Sequence, residues 1–399
     1  MKKAEFLLPA GIWLALRVIS SAAAAYFSAL RPLESAEQQI ALWPPAAPAE
    51  LWLYRVWLAP WVRWDVVFFE QITRYGYAEG FGSASFHPLY TLLARWLWKF
   101  GLAPLTALWL IASLSALGFF LVTYAHQRLE TSTDEARLTV LLTALFPASF
   151  ILFAPYTESL FLLLAAGCFY AWRQRNPWLA GGLAFLAALT RQQGVFLFLP
   201  AVWMAWQDSG QQSGRIFSSW RWWLSSLAAP LGLLTWSAYR LFVINETPLR
   251  TDSFQAFLYS AVLSPSAQEI VPDQRMLLPW QGIWNSALHL WLFPEFQGIF
   301  NLLGGVLFVF ILLAAWKNLS ASEKIYSLTI TLVSFSMVTG LENSFVYMSL
   351  PRHLLLAFPV FHGLARALRH AWQRWLVLTV FGLLWLFSLS LFVLHAWIP

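Results

Sequence analysis

The sequence predicts an all-α protein that crosses a membrane many times. Three observations carry this: 59% of the 399 residues are hydrophobic, only 11% are charged, and apolar runs of span length recur with basic residues between them. A soluble domain carries about 25% charged residues, so this chain lacks the polar surface that water requires.

At about 20 apolar residues per span, helices are predicted near 7–30, 102–125, 138–154, 157–172, 178–190, 195–206, 222–244, 298–316, 325–341, 352–365 and 376–396, about eleven in all. The first follows MKKAEF and is long for a signal-peptide core, so it reads as a retained helix. With that end cytoplasmic, alternate loops carry Arg128 and Arg137, Arg173 and Arg175, Arg215 and Arg221, Lys317 and Lys324, then Arg366, Arg369 and Arg374. This is the positive-inside pattern, and it predicts the N-terminus in and the C-terminus out. The run from Trp178 to Trp206 is read as two helices broken at Gly194, because one helix would bury Arg191 near mid-membrane at about 2.5–3.5 kcal/mol.

Two outer loops are long, about 31–101 and 245–297. In the first, LWLYRVWLAPWVRWD and FHPLYTLLARWLWKF are interrupted by Arg55, Arg63, Arg95 and Lys99. They read as amphipathic helices at the interface, with tryptophans at headgroup depth. Organisation is one transmembrane domain over 1–399, without repeats. The lone Cys168 excludes an internal disulfide framework. The net charge of +6 is dispersed between spans, which argues for the lipid bilayer as partner and against nucleic acid. No glycine-rich nucleotide loop occurs, and no His/Cys/Asp group has ligand spacing, so neither cofactor nor metal is expected. The NET sequon at Asn245 is a match frequent by chance.

Polar residues gather in the predicted outer turns. Asp65 and His87 lie in the first loop, Tyr156 and Glu158 in APYTESLF, Arg191 and Gln192 in TRQQG, and Arg352 and His353 in LPRH; Asp65, Glu158, Arg191, Arg352 and His353 are candidates for one outer cavity. Asp65, Phe69, Ile72 and Gly76 follow helical spacings of 4, 3 and 4, so the aspartate ends an apolar stripe. A carboxylate at a dry edge suits a general base; a helix N-cap or an ion pair with Arg63 would equally explain it. Arg191 and Arg352 suit a phosphate or, alternatively, lipid headgroups, and His353 is a second phosphate donor or an interfacial residue. Glu158 suits substrate or the third position of a capping box. His87 suits an acceptor or phosphate, or stacks among aromatics, and Glu70 with Arg74 forms a helix pair.

These residues also carry a resemblance. Trp64-Asp65, Phe69, Ile72, Gly76-Tyr77, Phe86 and Pro88 resemble the WDxxxFxxIxxxGY…FxP signature of the PIG-V family of membrane mannosyltransferases. FPASFILFAPYTESLF, LAALTRQQG and LPRHLLLAFP resemble three later segments of that family in the same order. The sequence departs at Phe68, where the family has histidine, at His87, where it has phenylalanine, and at Thr91, where it has a second proline.

The resemblance implies a GT-C glycosyltransferase that inverts configuration at the sugar and uses no cofactor. Its donor would be a polyprenyl-phosphate sugar, mannose foremost, and its acceptor a glycolipid or glycan hydroxyl on the extracytoplasmic face. Asp65 would be the base, Arg191, Arg352 and His353 the phosphate ligands, and Trp64, His87, Tyr156, Glu158 and Gln192 substrate contacts. Compact loops favour a bacterial plasma membrane over the ER. A lipid-sugar flippase is the competing class, and it would require the polar residues near the midplane; a protein O-mannosyltransferase is a variant of the first.

Overall fold

The computed structural model describes residues 3–30, 57–77, 83–210, 219–244, 253, 275–339 and 346–394. Expectations for Leu51–Val56, most of the second outer loop with the Asn245 sequon, the segment LENSF and the last two residues of the final span lie outside these residues. The rest is almost wholly helical: α1 Leu7–Leu30, α2 Asp65–Tyr75, α3 Pro88–Lys99, α4 Pro104–Gln127, α5 Thr133–Leu145, α6 Glu158–Arg173, α7 Pro177–Thr190 and α8 Phe198–Asp208. Then come α9 Trp220–Ser226, α10 Ala228–Phe242, α11 Pro279–Leu292, α12 Phe296–Ala315, α13 Ala321–Ser336, α14 Leu350–Leu355, α15 Pro359–Ala367 and α16 Ala371–Val393. Short 3₁₀ turns and one two-residue antiparallel pair, β1 Arg275–Met276 with β2 Met337–Val338, complete the described set.

Among the described residues four helices are long and apolar enough to cross a membrane, Leu7–Leu30, Pro104–Gln127, Phe296–Asn318 and Ala371–Val393, and a bent pair makes up to five. The chain is therefore an all-α integral membrane protein. The other predicted spans are shorter or broken, so length alone does not reach eleven. Each break has a local cause. After α5, Phe146 turns extended before Pro147, as the residue ahead of a proline prefers, and a 3₁₀ turn over Pro147–Phe153 leaves at 85°. The freed Thr143 carbonyl accepts the Ser149 hydroxyl at 2.5 Å.

The break expected at Gly194 falls three residues earlier. α7 stops at Thr190, Arg191 is extended, and a 3₁₀ turn covers Gln192–Leu197. Gly194 is folded back onto α7, where a Cβ would lie 2.3 Å from the Ala188 nitrogen, so glycine permits the turn rather than starting it. α11, within the second outer loop, was not foreseen. α3 is amphipathic as expected: Tyr90 and Ala94 are buried, whereas Leu92, Trp96 and Phe100 are exposed beside Lys99.

By internal contact the chain forms two compact units: Met1–Gly76, Tyr90–Leu163 and Phe361–Pro399, and separately Tyr77–Leu89 and Leu164–Val360. In the first, α1 packs against α4 and α16, and buried Arg17 of α1 donates to the Phe153 carbonyl at 2.7 Å and to the Ser113 hydroxyl while lying over Trp109. In the second, α7 runs parallel to the α9–α10 pair. A Cβ on Gly181 would sit 3.1 Å from the Ser225 oxygen, and one on Gly232 would sit 2.6 Å from the Phe185 oxygen. The partners advance together, 181 to 185 beside 225 to 232, so the C-terminal ends of α7 and α10 lie at the same end.

Candidate active site

In the first unit the site is built around the start of α2. Trp64 holds the N-cap position with φ 51, a left-handed backbone costing a bulky residue about 1–3 kcal/mol. Asp65 follows as the first helical residue, half-buried, where the positive end of the helix favours a carboxylate. It is thus not the N-cap. Nor is it the partner of Arg63, whose guanidinium donates to the carbonyls of Ala59 at 3.2 Å, Val62 at 2.8 Å and Val393 at 3.5 Å. Burial pushes that guanidinium down to about 10, so it stays charged at neutral pH.

Tyr156 is wholly buried and donates its hydroxyl to the Arg63 carbonyl at 3.0 Å. Its ring meets Phe69 of α2 edge-on at 6.1 Å, and Phe69 meets Tyr90 at 5.4 Å. Glu158, wholly buried, is the first residue of α6 and not the third of a capping box. After burial itself, its charge helps push the Tyr90 phenol up. The first unit therefore links Tyr156 to the turn that carries Trp64 and Asp65, and places Glu158 at the start of α6. Glu70 and Arg74 pair at 2.7 Å as spacing predicted; burial raises the Glu70 carboxyl and Arg74 opposes the rise.

The second unit holds the others, His87, Arg191, Gln192, Arg352 and His353. His87 is 7% exposed, and its Nδ1 lies 2.6 Å from the carbonyl of Ala188, one of the four that α7 leaves without an intrahelical partner. A carbonyl only accepts, so Nδ1 carries the proton and the neutral ring presents Nε2 as an acceptor. Burial pushes this imidazole down to about 3; the bond to Ala188 opposes that, and the charges of Arg240 and Arg191 add to it. The ring also packs against Trp236, which meets Tyr77 and lies stacked with Tyr239.

From Arg191 the chain passes to Gln192, whose amide reaches the Met337 sulfur at 3.6 Å. Phe335, on the same stretch, lies 3.0 Å from where a Cβ of Gly305 would stand, and Leu350 crowds that glycine at 2.7 Å. α14 begins there. Its N-cap, Ser349, has φ 57, and the Leu350 amide donates to the buried Asn301 Oδ1 at 2.8 Å. This seats Arg352, buried, and His353, half-buried. Among the described residues three non-glycine positions have positive φ, and two of them, Trp64 and Ser349, immediately precede the helices carrying Asp65 and Arg352.

No protein-family model matches the chain, and no curated protein does. Among the solved structures it is similar to are two of one protein. One is ArnT from Cupriavidus metallidurans in the apo state, at 14% identity and TM-score 0.43 over 78% of this chain and 56% of that one. The other is ArnT from the same organism bound to undecaprenyl phosphate, at 13% identity and TM-score 0.47 over 95% and 63%. The chain thus spans 56% and 63% of those two chains.

Sequence reasoning missed two residues. Arg240 lay inside a predicted span, where a single arginine reads as snorkelling, yet it is 3% exposed. Its signal was the i, i+4, i+8 row Gly232–Trp236–Arg240. Asn301 lay in an apolar helix, and its signal was the Gly304-Gly305 pair one turn on, which lets α14 approach.

Proposed function

We propose that this protein is an inverting GT-C glycosyltransferase that moves a sugar, mannose foremost, from a polyprenyl phosphate to a glycolipid or glycan hydroxyl on the extracytoplasmic face. The observation that carries the reading is the start of α2: an acidic residue in the position of the PIG-V-like signature, presented by a strained tryptophan and braced from behind by Tyr156. Strain maintained by surrounding packing is a mark of functional positions.

Asp65 takes the proton of the acceptor hydroxyl. That oxygen attacks the anomeric carbon from the face opposite the phosphate, the carbon–oxygen bond to phosphate breaks, and the configuration inverts. Arg191, Arg352 and His353 stabilise the departing phosphate, whose charge grows in the transition state. Trp64, His87, Tyr156, Glu158 and Gln192 hold substrate or the groups that touch it.

The test is sugar transfer by the purified protein in lipid nanodiscs, with labelled polyprenyl-phosphate mannose or GDP-mannose and a lipid extract of the source cells. Transfer from the lipid donor alone, lost in Asp65→Asn, supports the proposal. Binding of the lipid donor without any covalent product favours a carrier instead.

A further inference from the structure

The His87 corner of the second unit is more specifically built than a general phosphate site. Nδ1 of His87 is committed to Ala188, and Nε2, on the far side of a ring more than nine-tenths buried, has no hydrogen-bond partner among the described residues. Nε2 is therefore an acceptor left open to a ligand, and burial keeps this ring from acquiring a proton of its own. Two guanidinium groups act on the same imidazole. Their placement follows from the chain: Arg191 is three residues beyond Ala188, which His87 bonds, and Arg240 is one helical turn beyond Trp236, which His87 packs against. The close approach of α7 and α10 at Gly232 holds both turns together.

The ligand that suits this corner combines an anion for the arginines with a hydroxyl for Nε2. In a glycosyl phosphate the anomeric carbon bears the phosphate, so the nearest hydroxyl is the one on C2. We propose that Arg240 joins Arg191 in holding the donor phosphate, and that His87 Nε2 accepts the C2 hydroxyl of the same sugar, so the enzyme selects donors with a free hydroxyl there. This rests on the glycosyltransferase reading and adds to it a substrate class. An arginine near the C-terminal end of a helix also offsets the helix dipole, but that role requires neither a second arginine nor an acceptor lacking its donor.

The experiment measures dissociation constants in nanodiscs for polyprenyl-phosphate mannose, its 2-deoxy counterpart and bare polyprenyl phosphate. His87→Asn keeps an amide donor for the Ala188 carbonyl and deletes the Nε2 acceptor, so it separates recognition from folding. Wild type should prefer the mannosyl lipid over the 2-deoxy lipid by roughly ten- to hundredfold, and His87→Asn should bind the two alike. Arg240→Gln should weaken bare polyprenyl phosphate by about tenfold or more, with Arg240→Lys intermediate. Retained preference in His87→Asn, or unchanged phosphate affinity in Arg240→Gln, overturns the inference while sugar transfer by the wild type leaves the glycosyltransferase reading standing. Failure of the wild type to bind any of the three lipids overturns both.

Discussion

Tyr156 donates its phenolic hydroxyl to the backbone carbonyl of Arg63 across 3.0 Å. The bond reaches over 93 residues to brace the chain one step before strained Trp64 and two before Asp65. Tyr156→Phe should keep the ring contact with Phe69 but remove one of the two hydrogen bonds the Arg63 carbonyl accepts, leaving the Val66 amide at 3.2 Å as its donor. A stability loss of about 0.5–1.5 kcal/mol is expected, together with a drop in kcat and little change in donor KM. Thermal unfolding and steady-state transfer would check it; an unaltered kcat would remove the bracing role.

Asp65→Asn preserves size and hydrogen-bonding capacity while abolishing basicity. Turnover should fall by about 10²–10⁴, the range of a lost general base, with donor affinity and melting temperature close to wild type. Single-turnover transfer with bound donor is the measurement, and normal turnover would refute the assignment.

The left-handed backbone at Trp64 makes an ordering prediction. Both Trp64→Ala and Trp64→Gly lose the indole, but only glycine adopts φ 51 without penalty. The glycine variant should therefore be the more stable of the two by about 1 kcal/mol. Comparative denaturation in one detergent reads this directly.

Two glycines of the second unit should respond oppositely. A Cβ on Gly232 would meet the Phe185 carbonyl at 2.6 Å and the Ala188 methyl at 2.9 Å, neither of which can rotate away. Gly232→Ala should cost about 1–3 kcal/mol and loosen the His87 corner. Gly182, in the interior of α7, has nothing within 4 Å of such an atom, so Gly182→Ala should stabilise by up to about 1 kcal/mol. Melting temperatures of both variants against wild type decide it.

His87 sets a pH dependence of stability. Its folded value, about 3, lies below the ordinary 6.5, so between these limits the unfolded chain binds a proton that the folded one refuses. The associated stability is fully present above about pH 6.5 and is lost as pH falls, at about 1.4 kcal/mol per unit. Wild type should therefore lose more stability than His87→Asn between pH 6.5 and 4.5. Parallel acid-dependent slopes in the two proteins would show that the ring is not held neutral.

Much of the architecture was legible in the residues themselves. α1 appears with the predicted limits, 7–30, because an uninterrupted apolar run has no competing use for its backbone groups. Phe69 and Ile72 of the stripe are buried and the Glu70–Arg74 pair forms, both consequences of spacing within one helix, whereas Gly76, read as part of that stripe, instead ends α2 with φ 86. The break near Arg191 was anticipated but displaced, because its position depends on which carbonyls of α7 find other donors. One of those donors is the Nδ1–H of His87, about a hundred residues earlier in the chain.

Composition and local periodicity by themselves determined the class of this protein, its long apolar helices and most of the polar residues worth examining, since membrane insertion and helical pitch depend only on neighbours in sequence. Tertiary structure alone decided that Tyr156 braces Arg63, that Asn301 seats the turn before Arg352, and that buried Arg240 belongs beside His87. Each depends on a buried donor, acceptor or charge meeting its complement from a distant segment, and no spacing within one helix encodes that meeting.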